Sequence, residues 1–167
     1  MYQQGEQVLY SGHGVCTVIG IESMKFGKTW GKYYCLQPLE QPDSRYYVSV
    51  GNEAARARLS PLMTREELLA LLHSDQVRQN NWIQDEGQRK LRYRELISSS
   101  DRAAILNMIY CLHKHKEAQT LAGKKFRQCD SGFLHDAQKL LNSEFSAVFG
   151  LESDQVPGFI KEELNKG

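Results

Sequence analysis

Four stretches of the chain bring together residue types that could do chemistry. Gly27-Lys28-Thr29 has the ending of a phosphate-binding loop, but that loop needs a glycine five positions earlier and a helix after it. Position 22 is Glu, and a strand pattern follows. Cys111, His113, His115 and Cys129 are zinc-capable by type, yet their spacing fits no common zinc module. Cys111 also falls on an apolar helical stripe, which suits a buried structural thiol. His13, between Gly12 and Gly14, has no nucleophile or orienting acid near it in sequence. No nucleophile–base or paired-carboxylate arrangement is visible, so we expect no catalytic residue, metal or cofactor. The fourth stretch is Asn80-Asn81-Trp82-Ile83-Gln84-Asp85, which runs into Arg89-Lys90-Leu91-Arg92-Tyr93-Arg94. An aromatic at the mouth of a helix, followed by cations, either staples the helix start onto its domain or presents a ring for contact.

Charge sharpens that choice. Residues 80–128 hold ten Lys/Arg against five Asp/Glu, in a chain whose net charge is only +1. A basic segment in an otherwise acidic chain is either a solvated helical face or the footprint of a polyanion. Hydrophobic residues at 41% and charged residues at 25% are ordinary for a globular protein. The start lacks the basic and apolar regions of a signal peptide, and no apolar run has membrane-span length. We therefore expect a cytoplasmic protein with no membrane contact. Four widely spaced cysteines without a C-x-x-C pair argue against a disulfide framework.

The elements that would position these residues fall into two blocks. Residues 6–50 read as strands: Glu6–Tyr10, Val15–Ile21 with Gly20 as a bulge candidate, Lys32–Leu36 and Arg45–Val50. If Tyr46, Val48 and Val50 face inward, Arg45, Tyr47 and Ser49 face out. From residue 60 the period becomes helical, with the joint between the two blocks near 58–64. Thr64-Arg65-Glu66-Glu67 is a capping box. Helices follow at about Trp82–Ile97, stopped by Ser98-Ser99-Ser100; from Asp101 to a fraying, cationic His113-Lys114-His115-Lys116 end; at Gly132–Phe149 after a basic loop over 120–131, stopped by Gly150; and at 157–165. The fold class is α+β: an N-terminal Tudor/SH3-like small β-barrel over residues 1–60, then an all-α domain of about five helices over residues 61–167.

The opening Gly5-Glu6-Gln7-Val8-Leu9-Tyr10-Ser11-Gly12-His13-Gly14-Val15-Cys16 resembles the first strands of the CarD/CdnL family. Tyr33-Tyr34-Cys35-Leu36 and Tyr46-Tyr47-Val48-Ser49-Val50 resemble its next strands. Asn81-Trp82, then Arg94-Glu95-Leu96-Ile97 before Ser100-Asp101, resembles its Asn/Trp helix start and helix stop. Ala137-Gln138-Lys139-Leu140-Leu141-Asn142-Ser143-Glu144-Phe145 resembles its last long helix. The resemblance implies a Tudor-like domain, shared with the transcription-repair coupling factor, that binds the β subunit of bacterial RNA polymerase. It also implies a helical domain that touches promoter DNA at the upstream edge of the melted bubble, with the Trp as a minor-groove wedge and no catalysis. Carried onto this chain, the polymerase contact is Met24, Arg45 and Tyr47, and the DNA contact is Trp82, Arg89, Lys90, Lys124 and Lys125. The chain departs from the family in having Met24 and Tyr47 where Arg is frequent, and Asp85 and Glu86 after the Trp. The alternative is a Tudor-like peptide-binding adaptor whose helical domain contacts protein and not DNA.

Overall fold

The computed structural model describes residues 1–99 and 101–166, so the Ser100 part of the expected serine stop lies outside the described residues. The chain divides into two compact units, Met1–Leu62 and Met63–Gly167.

The first unit is an antiparallel five-stranded sheet of order β4-β3-β2-β1-β5, consistent with a Tudor-like domain. Its strands are β1 (Gln7–Tyr10), β2 (Gly14–Phe26), β3 (Thr29–Pro38), β4 (Tyr46–Ser49) and β5 (Leu59–Pro61). Register shifts between Val18 and Gly20, so Ile19 is the extra residue of a bulge. A bulge bends a strand and raises its twist. Here it lets the thirteen residues of β2 pair with β1 near one end and with β3 to the other. Val8, Val18, Leu36 and Val48 meet on the concave side, with Cys16 and Tyr34 beside them. Burial pushes the Cys16 thiol up to about 11. Gly27 takes a φ of 65° at the β2–β3 turn, a conformation that favours glycine. Strand β5 lies in the stretch where the sequence suggests only a joint, and helix α1 (Glu53–Arg56), capped by the Asn52 side chain, forms just ahead of it. Both are too short to carry a periodic signal.

The second unit holds α2 (Arg65–Leu72), α3 (Glu86–Ser99), α4 (Arg102–Leu121), α5 (Gln128–Phe149) and α6 (Val156–Asn165). The capping box at Thr64 forms in both directions: the Glu67 amide donates to the Thr64 hydroxyl, and the Thr64 amide to the Glu67 carboxylate. Leu68, Leu72, Leu106, Ile109, Leu112, Phe145 and Ile160 are fully buried in one core. Arg102 grips the buried Glu144 through two bonds of 2.6 and 2.7 Å, and the Met63 amide donates to the same carboxylate. Gly150 ends α5 at φ 67°, the left-handed cap expected of it. Among the described residues, no helix is long and apolar enough to cross a membrane.

Three helix boundaries differ from the sequence expectation. α3 begins at Glu86, because Asp85 and not Asn81 is its cap: the Gln88 amide donates to the Asp85 carboxylate at 2.8 Å. α4 does not fray at His113 but continues to Leu121, and α5 starts at Gln128, so the basic loop shrinks to residues 122–127. His113 and His115 are therefore mid-helix residues, not C-terminal cations. His113 Nε2 is buried without a hydrogen-bond partner among the described residues. Burial, aided by Lys161, Lys116 and Lys114 and opposed by Glu117, pushes its pKa from 6.5 down to about 4. Between these values the unfolded chain binds a proton that the folded chain refuses, so His113 makes stability fall as pH drops through that window. The denaturation midpoint should therefore decline between pH 7 and 5 less steeply in His113→Phe than in the parent. Equal slopes in urea titrations would contradict this role.

Candidate functional site

Two surfaces gather the residues singled out from the sequence, one on each unit. On the sheet, Met24 pairs with Gly31 and Tyr47 with Cys35. Gly31, Tyr33 and Cys35 alternate along β3, so Met24, Tyr33 and Tyr47 share one face of the sheet. The Tyr33 ring lies over Gly31, where an added Cβ would sit 3.4 Å from it, and Phe26 packs edge-on against that ring at 4.8 Å. The result is an apolar row of Met24, Phe26, Tyr33 and Tyr47, with Phe26 half exposed and Tyr47 39% exposed. Tyr46 and Val50 pack on the core and Val48 is buried within it, so the strand alternates as the sequence suggests. Arg45 is exposed at the entry to this edge strand, and its guanidinium donates to the Pro42 and Ser44 carbonyls at 2.6 and 2.7 Å. Tyr33 and Phe26 are absent from the sequence expectation, although strand parity alone places them beside Met24.

The helical surface is built on segment 79–85, which has no regular secondary structure and leads into α3. Trp82 is half-buried against the helical core. His115 of α4 stacks on its ring at 3.9 Å and 11°, and the Arg89 guanidinium lies 4.5 Å from the ring centre. His115 also neighbours Phe126, over which Lys116 reaches. Phe126 lies in the 122–127 loop, in which Lys124 and Lys125 are exposed. Burial pushes the His115 pKa down, with Asp130 opposing and Arg89 and Arg127 assisting, so the stacking partner is a neutral imidazole at pH 7. Glu86 takes the thiol hydrogen of Cys129 at 3.0 Å and pairs with Arg127 at 2.9 Å and with Lys90 at 3.8 Å. The Cys129 bond, then the Lys90 charge, holds its carboxyl below the usual range.

Arg89 requires a correction. Expected at a phosphate, it is 3% exposed and grips Asp130, itself 1% exposed, through two bonds of 2.9 and 3.0 Å. Its remaining donors reach the Ile83 and Gln84 carbonyls. Such a group has no face left for a phosphate; it positions the Trp82 segment. The sequence carried the signal, since Arg89 lies on the helical stripe of Tyr93 and Ile97. Its partner Asp130, forty-one residues away, carried none. Cys111 is buried on the core side of α4, its thiol directed at the Gln79 carbonyl.

His13 sits in a ring cluster, 4.5 Å from Tyr10 and 4.6 Å from Tyr46, with Arg58 5.2 Å from the Tyr10 ring centre. A cage for a cationic peptide side chain needs rings spaced around a gap. These rings touch one another, and Arg58 already supplies the cation.

The first unit is thus a small sheet domain that exposes an aromatic row beside its edge strand β4. Residues 2–63 match the family model of the CarD-like/TRCF RID domain, and the first unit ends at Leu62. That domain family serves protein interaction, not catalysis. No curated protein matches the chain.

Breaking the buried Arg89–Asp130 pair should strongly destabilise the helical unit, because it strands one buried charge. Asp130→Ala leaves a guanidinium buried and unpaired and should cost about 3–5 kcal/mol in urea denaturation. Lys90→Ala removes only an exposed helical pair and should cost no more than about 0.5 kcal/mol. Similar losses for the two variants would refute this assignment.

Proposed function

We propose that this chain is a transcription regulator that docks on the RNA polymerase β subunit through its sheet domain and stabilises the promoter open complex through its helical unit. The observation that carries this reading is the CarD-like/TRCF RID match over residues 2–63. The exposed edge of β4 can extend a partner's sheet, giving backbone hydrogen bonds, while side chains select the partner. Tyr47, Arg45 and Met24, with Tyr33 and Phe26, supply that selection; aromatic residues, Arg and Met are enriched at interface cores.

In the helical unit, His115 and Arg89 hold the Trp82 ring in place before any partner arrives. The part of the ring left exposed wedges into the minor groove at the upstream edge of the bubble. Opening an intact step costs a few kcal/mol, and the junction between duplex and bubble is already unstacked. A contact made only in the open state stabilises that state alone. Lys90, Lys124 and Lys125 touch phosphates, which position the protein without reading sequence. Arg89 acts through Trp82 and not on DNA.

Converting Arg45 and Tyr47 together to Glu should abolish capture of the β subunit while leaving the circular dichroism spectrum unchanged. Retained capture would move the docking site elsewhere. Trp82→Ala should leave polymerase binding intact and shorten open-complex lifetime about tenfold for each 1.4 kcal/mol of stacking energy removed. His115→Ala loosens the packing but keeps the ring. If lifetime tracks melting temperature equally in both variants, Trp82 is a staple only and the wedge fails.

A further inference from the structure

The β2–β3 hairpin projects past β4, whose pairing with β3 ends at Tyr33 and Ser49. Beyond that point its two faces differ. One carries Met24, Phe26 and Tyr33, together with Glu22, which pairs with Tyr33. The other carries Lys25 opposite Trp30, and Lys32 two residues further along β3. Lys28 sits in the turn between the strands. Trp30 is 68% exposed and has no ring or cation contact among the described residues. Lys25, Lys28 and Lys32 are exposed and form no ion pair among the described residues. A bare Trp with ammonium groups on its flanks is unexplained by packing, since no core lies beneath it.

We propose that this hairpin face binds single-stranded nucleic acid, with Trp30 as the base-stacking platform and Lys25, Lys28 and Lys32 as phosphate contacts. Base–aromatic stacking tolerates any sequence because every base offers a π-face. A duplex hides its base faces, so the ring selects unpaired strands. The face bears one flat ring between cations, a pattern that suits bases and phosphates, and the nearby acid Glu22 lies on the opposite face. This site lies on a different face from the polymerase contact proposed above and uses none of its residues.

The chain has two tryptophans, so in full-length Trp82→Phe the only one left is Trp30. Oligothymidylate should quench its fluorescence saturably at low salt, and added salt should reverse the quench. Lys25→Gln, Lys28→Gln and Lys32→Gln combined should weaken binding at least about tenfold. In the otherwise native chain, Trp30→Ala should lower affinity for a dye-labelled oligothymidylate about tenfold, read by anisotropy. Absence of quenching, equal binding of a duplex of the same length, or equal competition by polyglutamate would each overturn the proposal. These titrations contain no polymerase, so their failure leaves the open-complex reading standing, and the reverse also holds.

Discussion

A guanidinium and a carboxylate, both withdrawn from water, hold the helical surface together. Arg89 and Asp130 join α3 to the first turn of α5, and the same guanidinium also donates to the Ile83 and Gln84 carbonyls just ahead of α3. Two ions buried this way add little net stability over an apolar pair of the same volume, because desolvation offsets most of their attraction. They do impose geometry, since a bidentate pair is satisfied in one arrangement. Trp82, lying under that guanidinium and against His115, inherits the arrangement. Its ring is ordered by chemistry on the far side of the segment that carries it.

The sheet domain achieves definition by other means. It contains no comparable buried ion pair among the described residues; its inner side is apolar, and its shape comes from the bulge at Ile19 and from register. The same alternation that fills the core with Tyr34, Leu36 and Val48 lays Tyr33 and Tyr47 on the outside. Past the core, where β2 and β3 continue without support, both faces of the hairpin are wet, which is why side chains as different as Phe26 and Trp30 are both exposed there.

The strands, the capping box at Thr64 and the Gly150 stop were legible because each rests on a local rule: alternation, a reciprocal cap, a left-handed glycine. Tyr47 was placed on the outer face by the same rule, whereas Met24 came from the family resemblance. The start of α3 was misread because Trp82 and Ile83 continue an apolar pattern across a cap that only Asp85 supplies. Arg89 was misread because side-chain type was weighed above helical position; a cation on a core stripe asks for a buried acid. Asp130 and the stack of Trp82 on His115 were out of reach, since both join residues more than thirty positions apart with no pattern in between.

Pairing also thins the cationic surface that composition advertises. Of the ten basic residues in 80–128, Arg89, Lys90, Arg92, Arg102, Lys114 and Arg127 each have an acidic partner. Arg94, Lys116, Lys124 and Lys125 have none among the described residues. Duplex affinity is driven by the counterions that a surface displaces, with a logarithmic salt slope near −0.9 per neutralised phosphate. Four free cations, with Lys90 only loosely held by Glu86 at 3.8 Å, give a slope between about −4 and −5, where ten would give about −9. So shallow a grip cannot hold DNA at cellular salt by itself. A tether that raises the local concentration to the millimolar range makes such a grip sufficient. In the proposed assembly, the address is therefore set by the sheet domain, and the helical unit works at a site to which it has been carried.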